Sequence, residues 1–480
     1  MKKLNFEGPI NSLSLGNVAI NFLRELKERD IDISLFPMGD KGDFSAYDKI
    51  PKEFQQWVSN SASVRLKNLD KDTPTLKVWH INGSEKSLPN QFLYTFYELD
   101  SPTEEEVNIV NLQKHVFFSS SEAAEAFKQK GCSNISHVPL GFDTDFHETE
   151  KEYLKDTIHF GLVGKFERRK NTQAIIQLWT QKFGNNPKYQ LSCLVKNPFL
   201  NEEQMNQAIS NSLSGQSWSN VNFLPHLKTN SEVNDFMNSI DIDLSGLSNG
   251  EGWNLPSFNA TALGKWSLVS NCSAHKDWAT KENCILVEPV GKQPCYDNFF
   301  FKEGMPFNQG EYFKLNADNI EKGFEEALEK VGQKNTEGAK LRDNFTYSKS
   351  IDTILSRIYQ EHPTKDEYEE VVQRMNDPHT FSKDGKDWKR VYLSPHASIS
   401  SNDDPFNSNS FIEKTGKMKG TVGDMMSYSE ELSAKRADKH GGQDPVLKQH
   451  FKDYEKDVGK KHISDKPKSV ENKSMKIDFD

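Results

Sequence analysis

The sequence predicts an α/β chain in which two parallel-sheet units face each other across a cleft, followed by a polar tail. Three observations carry this. Short apolar runs alternate with helix-spaced apolar residues, the alternation occurs twice with a break near Pro139-Leu140-Gly141, and after His362-Pro363 apolar residues thin out to single positions. The length, 480 residues, is also more than one hydrophobic core accommodates.

The first unit spans residues 1–138. Leu4-Asn5-Phe6 reads as a strand; Ala19, Phe22, Leu23 and Leu26 recur at helix spacing; Ile31 to Phe36 reads as the next strand. Val78-Trp79-His80, Phe92 to Phe96 and Val116-Phe117-Phe118 follow as strands. Ser121 is the expected cap of a short helix that stops at Gly131, and Ile135 to Val138 closes the unit.

The second unit spans 139–346. His159 to Val163 and Leu191 to Val195 read as strands, with Ile175, Leu178, Trp179 and Phe183 marking one face of the helix between them. Phe223-Leu224 and Ile240 to Leu244 come next, then a helix from Pro256 to Leu263, then Leu268-Val269 and Ile285-Leu286-Val287. Helices are expected at Ile320–Val331 and Ser350–Tyr359; the latter lies in a terminal segment, 347–362, with the apolar spacing of any packed amphipathic helix. Both units are therefore expected to be Rossmann-like, with ligands bound at the carboxyl ends of the strands.

Composition bounds the function. Hydrophobic residues make up only 35% of the chain, and the tail 363–480 accounts for the shortfall: Lys, Asp, Glu, Ser and Asn there bury too little to offset chain entropy. It is expected to be mostly disordered, with transient helices at Ser427–Lys435 and Val446–Val458. A solvated mixed-charge tail and a docking segment for a protein partner both remain open. Sixty cations against seventy acids leave a net charge of −10, which argues against a nucleic-acid partner. No apolar stretch is long enough to span a membrane, and the N-terminus reaches Glu7-Gly8 before an apolar leader forms. Five cysteines, odd in number and without a C-x-x-C pair, fit a reducing cytoplasm. Cys193 and Cys284 sit in apolar runs and read as small core residues.

Two loops concentrate the chemistry. In Val163-Gly164-Lys165-Phe166-Glu167-Arg168-Arg169-Lys170-Asn171 an apolar strand ends in glycine, four cations follow, and a helix begins. Such a loop suits a diphosphate: the glycine admits close approach, the helix start offers free N–H groups, and clustered cations supply charge-assisted donors. Arg168 and Arg169 read equally well as exposed loop charges. In Ser245-Gly246-Leu247-Ser248-Asn249-Gly250-Glu251-Gly252-Trp253-Asn254-Leu255-Pro256-Ser257-Phe258-Asn259 a second strand ends in small residues before a helix with Pro256 in its first turn. The glycines flanking Glu251 allow tight turns that aim its carboxylate into the cleft.

At this point the chain resembles the group 1 glycosyltransferases, a retaining family with the two-domain GT-B fold, over roughly residues 1–360. Val138-Pro139-Leu140-Gly141-Phe142-Asp143 is similar to the family's linker turn, and Tyr347 to Tyr359 resembles its terminal helix, which implies that segment 347–362 crosses back to the first unit. Gly164-Lys165 with Lys170-Asn171 resembles its phosphate loop, with Lys165 where Arg is usual. Glu251 to Ala260 resembles its E-G-x-x-x-P-x-x-E-A signature, except that Asn259 replaces the second glutamate, the residue expected on the nucleotide ribose. The resemblance implies a retaining transfer from a nucleotide diphosphate sugar to an unidentified acceptor, with no further cofactor. Lys165 and Lys170 would neutralise the diphosphate, Glu251 would contact the donor sugar, and the amides of Leu255 and Ser257 would donate to phosphate. Gly164 would lie against the phosphates, and Asn259 would reach the nucleoside with fewer acceptors than glutamate offers.

In the first unit Gly16 is either a point of close approach to donor phosphate or a plain turn. His80 is either a cleft histidine touching the donor sugar or a structural one. Tyr94-Thr95-Phe96-Tyr97-Glu98 resembles the T-x-x-E strand end of some family members, which would turn Glu98 toward the acceptor. The triplets Asp30-Ile31-Asp32, Asp143-Thr144-Asp145 and Asp241-Ile242-Asp243 are not expected to hold metal, since the first and third lie at strand entrances and the second in the linker turn. The competing readings are a degenerate transferase serving as a scaffold through its tail and another GT-B enzyme, such as a sugar-nucleotide epimerase or a phosphorylase.

Overall fold

Two parallel six-stranded sheets and their flanking helices make up the computed structural model, which describes residues 2–359 except 40, 41, 69, 87 and 152. The tail from residue 363, with its two expected helices, lies outside the described residues, as does the end of the terminal segment, 360–362. The described residues all belong to one contact unit.

The first sheet is built from β1 (Lys3–Pro9), α1 (Ser14–Glu28), β2 (Asp32–Met38), α2 (Lys52–Val64), β3 (Thr75–Val78), β4 (Gln91–Thr95), α3 (Glu104–Leu112), β5 (His115–Phe118), α4 (Ser121–Gln129) and β6 (Ile135–His137). Its strand order is β2-β1-β3-β4-β5-β6. Strands buried on both faces need continuous apolar runs, as in Phe92-Leu93-Tyr94 and Val116-Phe117-Phe118. β3 stops at Val78, so His80 lies in the loop beyond it. The cap of α4 is Ser120, whose Oγ accepts the Ala123 N–H at 3.2 Å, not Ser121 as the sequence suggested.

The second sheet runs through β7 (Ile158–Val163), α5 (Thr172–Phe183), β8 (Tyr189–Leu194), α6 (Glu202–Ser212), β9 (Val221–Phe223), α7 (Asn230–Ser239), β10 (Ile242–Gly246), α8 (Leu255–Ala262), β11 (Trp266–Ser270) and β12 (Ile285–Val287). Its order is β12-β11-β10-β7-β8-β9, so the direction of winding reverses between β7 and β10. Beyond β12 comes an antiparallel hairpin that sequence reasoning missed, β13 (Gly291–Pro294) and β14 (Glu311–Lys314), then α9 (Ala317–Lys330), α10 (Thr336–Ala339), α11 (Leu341–Asn344) and α12 (Tyr347–Ile358).

Both halves contribute to one apolar cluster. Phe22 of α1 and Tyr94 of β4 pack edge to face at 4.9 Å, and the same cluster includes Trp253, Phe258 and Trp278 of the second half. The apolar face of α12, Ile351, Ile354, Leu355 and Ile358, is buried as its spacing predicts, and the helix packs on α1. Arg29 donates to Asp352 at 2.8 Å and to Ser348 Oγ at 2.8 Å, and Ser350 Oγ donates to the Pro139 carbonyl at 2.6 Å. A side chain on Gly141 would put its Cβ 2.0 Å from the Tyr347 nitrogen, so only glycine fits this turn.

The linker acids are structural. Asp143 accepts from Asn17 at 2.8 Å and Asn21 at 3.2 Å, and Asp145 pairs with Arg24 at 2.7 Å, all three partners sharing one face of α1. Among the described residues no group of three or more His, Cys, Asp or Glu is placed to hold a metal ion. All five cysteines are free and buried.

One buried acid gives a pH dependence. Glu85 is 4% exposed, and neither carboxylate oxygen has a hydrogen-bond partner. Burial pushes its pKa up to about 8, with Lys77 opposing. The folded state therefore holds a proton that the unfolded chain releases near its ordinary value of 4.5. Stability from this group is complete below that value and is lost as pH rises through about 8. Glu85→Gln is expected to match the parent at pH 4 and to exceed it at pH 9, the gap opening by at most about 1.4 kcal/mol per pH unit between; urea unfolding across pH checks this.

Candidate active site

The reversal between β7 and β10 opens a crevice at the carboxyl edge of the second sheet. The two strands pair only at Phe160↔Ile242 and Gly161↔Asp243; beyond that, Ser245 Oγ accepts the Val163 N–H at 2.8 Å. Gly164 follows, and nothing lies within 4 Å of where its Cβ would stand. The two loops that leave these strands are fastened to each other. Asn171 and Asn249 exchange side-chain amide hydrogen bonds at 2.6 and 2.8 Å, and the Asn249 N–H donates to the Arg169 carbonyl at 2.9 Å.

Six charges converge here. Lys170 Nζ lies 2.5 Å from Glu251 Oε1, although the residues are 81 positions apart. Arg169 pairs with Glu251 at 3.1 Å, Glu167 at 2.7 Å and Glu98 at 3.1 Å, while Lys165 lies 3.4 Å from Glu167. Arg169 is 6% exposed, which overturns its reading as an exposed loop charge; Arg168 is exposed and donates to the Tyr296 carbonyl at 3.1 Å. Burial pulls against the Arg169 charge, and Glu98, Glu251 and Glu167 more than restore it. Burial likewise works against ionised Glu251, but Lys170 and Arg169 outweigh it and hold the carboxyl below its ordinary range. Glu98 goes the other way: burial, with Glu251 and Glu167 nearby, raises its pKa despite Arg169. In this arrangement Glu98 faces Arg169 and stays partly exposed.

The Glu251 backbone is clamped. A Cβ on Gly250 would stand 2.7 Å from the Glu98 carbonyl oxygen, and one on Gly252 would stand 2.8 Å from Phe96 Cβ. The two glycines thus let this turn press against the end of β4, where Ser119 Oγ donates to the Gly252 carbonyl at 2.6 Å. Ser273 Oγ accepts the Glu251 N–H at 2.9 Å and donates to its carbonyl at 2.6 Å.

Asn254 caps α8 from a left-handed conformation, φ 72°. Its side chain accepts the Ser257 N–H at 3.5 Å and donates to Ser245 O at 2.8 Å and to His275 Nε2 at 3.0 Å. His275 Nδ1–H donates to Ser270 O at 2.9 Å; burial lowers the pKa of this ring to about 4, so it stays neutral near pH 7. Of the two expected phosphate-binding amides, that of Ser257 is taken up by the cap, and Ser257 is fully buried. Leu255, half-buried, opens the helix. Asn259 is 4% exposed, and its Oδ1 has no hydrogen-bond partner.

Across the cleft the predicted residues divide. Gly16 is not open to a ligand: its Cβ position lies 2.3 Å from the Asn11 carbonyl oxygen, so the loop's own chain fills that space. His80 is exposed. The surrounding protein and the positive charge of Lys165 lower its pKa, which favours the neutral ring near pH 7. One surface hollow is lined by Asp241, Lys265 and Trp266 and opens at the amino ends of the strands, away from this cluster.

Similarity to solved structures settles the architecture. Sucrose-phosphate synthase from Thermosynechococcus elongatus superposes with a TM-score of 0.53 at 12% identity, over 75% of this chain and 98% of that one. HepE of Anabaena, solved with UDP and glucose, gives 0.53 at 12% identity over 75% of this chain and all of that one. A UDP-forming trehalose-phosphate synthase from Burkholderia vietnamiensis gives 0.50 at 9% identity, over 75% and 99%. The chain has the GT-B fold. No known-family profile matches the sequence, and no curated protein matches it either.

Proposed function

We propose that the protein is a glycosyltransferase that takes a sugar from a nucleotide diphosphate sugar. The observation that carries this is the Lys170–Glu251 pair at 2.5 Å, set where the second sheet reverses and beside the open face of Gly164. HepE, which shares the fold, is described in complex with UDP-glucose.

On this reading the donor diphosphate takes Lys170 from Glu251 and draws in Lys165. Both cations then stabilise the negative charge that grows on the departing nucleotide, the kind of preorganised electrostatic contribution worth most in a water-poor cleft. Glu251, still held by Arg169 and by Ser273 on its backbone, is left with acceptor lone pairs for the sugar hydroxyls. Neutral His80 supplies a hydrogen bond from the facing half, and the Leu255 amide supplies one at the helix start. Asn259 offers its unpartnered Oδ1 to the nucleoside. Retention of the anomeric configuration follows from the resemblance to the retaining family.

A scaffold would have no need for an acid and a base clamped together in this way, which favours the enzymatic reading. The test is turnover. The full chain, incubated with UDP-, GDP- and ADP-glucose and their common epimers, is expected to release nucleoside diphosphate slowly from one of them with water as acceptor. Glu251→Gln is expected to lower that rate about a hundredfold. Release from none of them, with no nucleotide bound, would refute the proposal.

A further inference from the structure

The connection between β12 and α9 is long and spans both halves. Asp100, ahead of α3, pairs with Lys292 at 2.5 Å and accepts the Glu311 N–H at 3.0 Å. Thr103 Oγ1 donates to the Pro306 carbonyl at 2.6 Å, and Glu106 accepts the Asn308 N–H at 2.8 Å. On the other side, the Phe313 N–H donates to the Asn249 carbonyl at 2.9 Å. This strap carries three successive phenylalanines in a fixed turn, because Asp297 Oδ1 accepts the N–H groups of Phe299, Phe300 and Phe301 at 2.8, 2.8 and 2.9 Å.

Phe301 is buried and anchors the turn, whereas Phe299 is 51% exposed. Phe300 reaches Phe199, in the loop after β8, at 5.4 Å and nearly edge to face; Phe199 is 55% exposed. Lys165 Nζ lies over both rings, 4.9 Å from the Phe300 centroid and 5.6 Å from that of Phe199. An exposed Phe199 against a half-buried Phe300 adds little to the core. The pair lies under Lys165 of the loop after β7, with Phe199 in the loop after β8.

We propose that the Phe199–Phe300 pair is the seat on which the planar base of the nucleotide stacks, with the strap as a binding element of the donor site. The proposal rests on the nucleotide-sugar reading above. Phosphate offers Lys165 a charge-assisted bond stronger than its contact with the two rings. As Lys165 moves to the phosphate, the ring faces that it covers become free for the base. Stacking favours any planar base, so the seat adds affinity and leaves the choice of base to other contacts.

The test compares two ligands on the full chain by calorimetry: the best-binding of UDP, GDP and ADP, and inorganic pyrophosphate. In the double variant Phe199→Ala/Phe300→Ala the nucleotide is expected to bind at least about tenfold more weakly, with pyrophosphate changed less than about twofold. Phe300→Tyr, which keeps a ring, is expected to bind as the parent does. An unchanged nucleotide affinity in the double variant overturns the proposal, and so does an equal loss for both ligands, which would make the strap a support for the phosphate loop. A parent chain that binds pyrophosphate and no nucleotide also overturns it while leaving the phosphate site standing. If the parent binds neither, the donor-site reading falls as well.

Discussion

Replacing Arg169 by alanine is expected to cost about 3–5 kcal/mol of stability at pH 7. The guanidinium is buried and is the common partner of Glu98, Glu167 and Glu251. Removing it leaves three carboxylates close together with only Lys165 and Lys170 to answer them. The neighbouring Arg168→Ala removes an exposed charge and should stay within about 0.5 kcal/mol of the parent. The Arg169→Ala deficit should shrink as pH falls into the carboxylate range, since protonation neutralises the stranded acids. Urea unfolding of both variants at pH 7 and pH 4 checks the size and the sign. A deficit below about 1 kcal/mol at pH 7 would mean that Arg169 is not the keystone of the cluster.

The second large effect is on ligand binding. Lys170→Ala is expected to weaken nucleoside diphosphate binding by roughly tenfold to a hundredfold, the size of one lost hydrogen bond to a charged group. The fold should survive, because Glu251 keeps Arg169 as a partner at 3.1 Å and its backbone stays clamped by Ser273. Titration of the parent and the variant with the same nucleotide measures the ratio. Equal affinities would place the diphosphate away from Lys170.

The two sheets were legible because strands buried on both faces must be written as apolar runs, and the two glycine-bearing loops because each interrupts such a run before a helix. Lys170 and Glu251 were singled out separately, and the fold brings them into contact. Arg169 was not legible. A run of four cations in six residues gives no sign of which one is buried, and that depends on Glu98, delivered by the other sheet. The acid inside the run, Glu167, was the available hint, since it offers an internal partner. Gly16 fails for a related reason: a glycine at a helix start signals close approach but not what approaches, and here it is Asn11. The strap escaped because its polar hairpin has too few apolar residues to show a period.

The central claim is that the loops after β7 and β10 form a nucleotide diphosphate site with Lys170 at its centre. Thermal unfolding of the full chain with UDP, GDP or ADP tests it most directly, with Lys170→Ala alongside. A nucleotide present at a hundred times its dissociation constant adds about 2.7 kcal/mol, which for a unit of this size raises the midpoint by several degrees. The account predicts such a rise with one of the three nucleotides and its reduction to about half or less in Lys170→Ala. No rise with any of them, or a rise that persists undiminished in the variant, would contradict it.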